Sequence, residues 1–66
     1  MLTLVVGRSS VNRIALTRIV AQRGLVASSE PPETAVAAAV SRHPDLVILD
    51  AGAEGEDVQA MMAVLD

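Results

Sequence analysis

The chain has 66 residues, a formal net charge of -3, no cysteine and no Phe, Tyr or Trp. This excludes a disulfide-stapled scaffold and points weakly to a reducing cytoplasm. The five arginines are scattered, with no lysine among them and no ring on which a base could stack, so there is no nucleic-acid footprint. No apolar run approaches the length of a membrane span, and residues 1–6 lack the basic region and cleavage site of a signal peptide.

Leu2 to Val6 are apolar on both faces and stop at Gly7, as suits a buried strand of a parallel sheet. Ser9 and Ser10 offer an N-cap. Ile14, Leu16, Ile19 and Val20 then recur at helical spacing over residues 11–22, and Gly24 supplies a left-handed stop. Residues 25–28 form a second short strand. Pro31, Pro32 and Glu33 open a helix, because proline is tolerated in the first turn and Glu33 suits its positive end. An alanine-rich helix follows over 34–41, with Val36 and Val40 on one face, Arg42 and His43 in its last turn, and Pro44 as the stop. Leu46, Val47, Ile48 and Leu49 form the strongest strand signal and end at Asp50. After Gly52 and Gly55, a third helix starts at Glu56 or Asp57 and carries Val58, Met61, Met62 and Leu65 at helical spacing.

The order β-α-β-α-β-α with short connections predicts a parallel sheet with helices on its faces. In such folds functional groups gather at the carboxyl ends of the strands. Gly7 and Arg8 follow the first strand and Asp50 follows the third, so they are expected in one site. A carboxylate at Asp50 stands on a rigid element at an open sheet edge, where it can act as a nucleophile or ligand. The alternative role is a strand-end Asp that caps a turn.

The run Leu4-Val5-Val6, then Val11-Asn12-Arg13 and the helix to Gly24, then Pro44-Asp45-Leu46-Val47-Ile48-Leu49-Asp50, resembles the receiver domain of response regulators in two-component signalling. Gly55, Glu56 and Asp57 are similar to the loop that follows the phosphoacceptor. The resemblance implies a flavodoxin-like fold, here an incomplete one over residues 1–66 with strand order 2-1-3. It also implies that Asp50 stands where a receiver is phosphorylated by a histidine kinase or phosphotransfer protein.

Receivers place acidic residues directly after the first strand to hold Mg²⁺, a hard cation that needs oxygen ligands. Those positions are Gly7 and Arg8 in this chain, followed by Ser9. The Thr or Ser of the fourth receiver strand and the Lys of the fifth have no counterpart in residues 1–66. The chain therefore reads as a degenerate pseudo-receiver that works by protein contact, not as an enzyme, and with no cofactor expected. A phosphoacceptor receiver cut short in this chain is the alternative.

Arg8 is expected to place its guanidinium beside Asp50 with a charge-assisted bond, or to point to solvent. His43 reads as compensation of a helix dipole, and the single His with no Cys excludes a zinc site. Met61 and Met62 read as core, and the acidic run 54–57 as a solvated turn. A nucleotide-phosphate site is a separate alternative, because Gly7, Arg8 and Ser9 precede a helix N-terminus, as in the strand-loop of folate-dependent dehydrogenases. It lacks the G-x-G-x-x-G pattern and an acidic residue at the ribose distance. Finally, in the order 2-1-3 the strand Leu46, Val47, Ile48, Leu49 is an edge, and it is expected to pair with another chain, most simply a second copy in a homodimer.

Overall fold

The computed structural model describes residues 1–50, together with Gln59 and Ala63. Five elements follow in order: β1 (Leu2–Val6), α1 (Ser10–Gln22), β2 (Val26–Glu30), α2 (Pro32–Arg42) and β3 (Leu46–Leu49). The strands form one parallel sheet in the expected order β2-β1-β3. The expected third helix, with Met61 and Met62, and the acidic run 54–57 lie outside the described residues.

β1 is the central strand, and its Thr3, Leu4, Val5 and Val6 are all fully buried. The connection from β1 to β2 and that from β2 to β3 travel in opposite directions across the sheet. Right-handed crossovers then set the two helices on opposite faces. Leu4 and Val6 pack with Ala35 and Ala39 of α2, and Val36, Val47 and Leu49 close around them. Thr3 and Val5 point the other way, to the face that α1 shares with β1 and β2. The Thr3 hydroxyl is buried without a hydrogen-bond partner among the described residues.

Three sequence expectations are corrected. On α2 the buried face is Ala35, Ala38 and Ala39, while Val36 is half-buried and Val40 is 55% exposed. Alanine lets the helix approach the sheet closely, and the bulkier valines fall to its margin. On α1, Val20 is buried and Leu16 half-buried, but Ile14 and Ile19 are exposed, because a helix lying over two strands of this sheet buries a stripe narrower than its apolar set. The second strand runs over Val26–Glu30, beyond residues 25–28, because the register Leu2↔Val26 to Val6↔Glu30 carries the pairing to the end of β1. Its polar half has partners. Arg42 donates to the Ser28 hydroxyl at 2.5 Å and lies 3.2 Å from the Glu30 carboxylate, which also accepts from the Thr34 hydroxyl at 2.7 Å.

The helix ends follow their local chemistry. Ser9 is the N-cap of α1, its hydroxyl accepting the Asn12 N–H at 3.2 Å. Gly24 turns the chain out of α1 at φ 80. His43 is not the last-turn residue expected but the C-cap itself, left-handed at φ 50, with its N–H on the Ala39 carbonyl. Arg42 holds the last turn in its place. Among the described residues no helix is long and apolar enough to cross a membrane.

Candidate functional site at the carboxyl edge

Register brings the site together. Val6 is paired with Leu49, so the residues that follow, Gly7 and Asp50, leave the sheet side by side. The Asp50 N–H donates to the Val6 carbonyl at 2.8 Å, which fixes the start of the loop and half-buries the Asp50 side chain. Gly7 is also anchored on its other side, its N–H donating to the Glu30 carbonyl.

The absence of a side chain at Gly7 makes room for the carboxylate. A Cβ at position 7 would fall 2.7 Å from the Asp50 Cβ and 3.1 Å from its Oδ2. Real Cβ atoms do not approach that closely, so Asp50 occupies space that any other residue at position 7 would need. The same carboxylate accepts a hydrogen bond from the Asn12 side-chain amide, Nδ2 to Oδ2 at 3.2 Å. Asn12 lies three residues after the Ser9 cap, in the first turn of α1, and the positive end of a helix is where an anion is favoured. Arg13, half-buried, donates to the Gly7 carbonyl and ties the β1–α1 connection back onto α1.

Among the described contacts no bond joins Arg8 to Asp50. Its guanidinium stands 3.4 Å from the Glu33 carboxylate at the start of α2, on a partly exposed surface. Ser9 serves α1 as its cap and makes no described bond to Asp50. The structure therefore brings Gly7 and Asp50 together, as expected, but gives Asp50 a neutral amide where a guanidinium was expected.

Neither Asn12 nor Arg13 was given a role at this site from the sequence. The available signal was an amide in the first turn of a helix with no acidic residue in that turn. It shows only once the register of β3 is known.

Among the described residues the donor set at this edge does not fit Mg²⁺. Gly7 offers no side-chain ligand, and Arg8 is itself a cation. The other carboxylates at this edge among the described residues, Glu30 and Glu33, are engaged with Arg42 and Arg8. Among the described residues no group of three or more His, Cys, Asp or Glu side chains could hold a metal ion. A phosphate seated on the N-terminus of α1 through Ser9 would meet the Asp50 carboxylate already held there by Asn12. No family model, no curated protein and no solved structure matches this chain.

Proposed function

We propose that the chain is a receiver-like signalling module of the two-component type that works through protein contact, with Asp50 in the phosphoacceptor position. The observation that carries this reading is the pairing of Gly7 with Asp50 at the carboxyl ends of β1 and β3. The sheet order supports a receiver-like frame, and the carboxylate is presented at the edge where such frames do their work. The place of the acidic pair, however, is taken by a glycine and an arginine, and Asp50 is tied to an amide. That arrangement favours recognition of the edge as a fixed surface over transfer of a phosphoryl group, whose charge needs a cation to neutralise it.

A Mg²⁺ titration followed by backbone amide shifts tests this reading. One carboxylate rarely holds a cation that gives up its waters reluctantly. The amides of Gly7, Asn12 and Asp50 are expected to drift without saturating as the metal is raised to millimolar levels. Saturation below millimolar Mg²⁺, centred on those residues, would restore the phosphoacceptor reading.

A further inference from the structure

β3 pairs with β1 on one side, and among the described residues nothing pairs with its other side. The Asp50 N–H is turned toward β1, where it donates to the Val6 carbonyl, and the register from Thr3↔Leu46 to Val6↔Leu49 turns the backbone groups of Leu46 and Ile48 the same way. Backbone groups alternate along a strand, so those of Val47 and Leu49 are turned outward. The outer edge is thus a ladder waiting for a strand, with apolar side chains on both faces and Leu46 already 43% exposed. The opposite edge differs, since the Ser28 and Glu30 side chains of β2 are engaged by α2.

The ends of this ladder narrow the choice of occupant. Asp45 precedes β3 and Asp50 follows it, so the apolar stretch is bracketed by carboxylates. An antiparallel second copy that sets Leu46 opposite Leu49 also sets Asp45 opposite Asp50 at both ends. A parallel second copy in register sets each Asp beside its own equivalent. Like charges directly opposed across strands are destabilising, and opposite charges stabilise. The net charge of -3 acts in the same direction at longer range.

We infer that the β3 edge docks an extended segment of a different protein, one whose apolar stretch is bracketed by Lys or Arg, in preference to a second copy of this chain. The inference rests on the protein-contact reading above and names the chemistry of the partner. Main-chain bonds to Val47 and Leu49 supply the pairing, and cations beside Asp45 and Asp50 supply the selection.

The test is a titration of the 66-residue chain with two synthetic peptides. One alternates valine and threonine between terminal lysines, and the other replaces the lysines with glutamates. Amide exchange and shifts are read residue by residue. The cationic peptide is expected to slow exchange at Val47 and Leu49 and to bind at least about fivefold tighter than the anionic one, with the difference shrinking as salt is raised. Light scattering on the chain alone is expected to give a monomer. Equal binding of the two peptides, no protection at Val47 and Leu49, or self-association that protects those amides would overturn the inference. Peptide-induced shifts confined to Gly7, Asn12 and Asp50 would overturn it while leaving the contact reading in place.

Discussion

Leu4→Ala is expected to abolish cooperative unfolding of this chain. Leu4 is the largest side chain in the main core cluster, fully buried on the central strand between Val47 and the alanine face of α2. Its neighbours cannot grow into the gap, because Ala35 and Ala39 have no further atoms to offer. Burying Ala in place of Leu in such a site costs about 2–5 kcal/mol. A core in a domain this small rarely supplies more than about 3–5 kcal/mol. The loss is therefore comparable with the whole. Far-UV circular dichroism during a thermal or urea melt reads the result, since the chain has no aromatic residue to report tertiary packing. A sloping curve without a transition is the expected outcome, and a sigmoidal melt close to that of the parent would mean that the core lies elsewhere. Thr3→Val on the opposite face of the same strand should move the other way. It removes a buried hydroxyl without a partner among the described residues, a group whose desolvation costs about 1–3 kcal/mol.

Gly7→Ala is expected to destabilise the chain by about 1–3 kcal/mol, the range for forcing an extra group into packed space. The added methyl would fall 2.7 Å from the Asp50 Cβ, so Asp50 must move and its bond from Asn12 is strained or lost. Because the collision is with a Cβ, Asp50→Ala does not relieve it, whereas Asp50→Gly does. The two glycine-edge substitutions should thus be coupled, with Gly7→Ala costing much less in the Asp50→Gly background. Urea denaturation of the four proteins measures the cycle. Additive losses would show that Gly7 and Asp50 do not compete for the same space. The same geometry bears on any attempt to rebuild an acidic pair here: an aspartate at position 7 carries the same Cβ and meets the same collision.

The frame was readable because each strand carries its own signal. Apolar runs ended by Gly7 and Asp50, a serine cap at Ser9, Gly24 after α1 and Pro44 after α2 together gave the alternation that the structure has, and the resemblance to receivers implied its sheet order. The faces of the helices were harder. Val36 and Val40 outrank alanine in hydrophobicity, but close packing on a sheet selects small residues, so the buried stripe runs through Ala35, Ala38 and Ala39. At the site, the nearness of Gly7 and Asp50 followed from topology alone. The partner of Asp50 did not. Charge suggested Arg8, yet the guanidinium meets Glu33, a residue on another element whose position depends on how α2 is set against β2. Asn12 reaches Asp50 through the turn of α1, a three-dimensional relation with no mark in the local pattern.

The most direct test of a contact module carrying an unserved Asp50 is its response to a small phosphodonor. The chain is incubated with acetyl phosphate and Mg²⁺, and its intact mass is measured. An unchanged mass is the expected result, because the carboxylate is held by Asn12 and, among the described residues, no second acid stands beside it to retain the cation. A stoichiometric phosphoryl adduct that disappears in Asp50→Asn would contradict it and make this edge a working phosphoacceptor site.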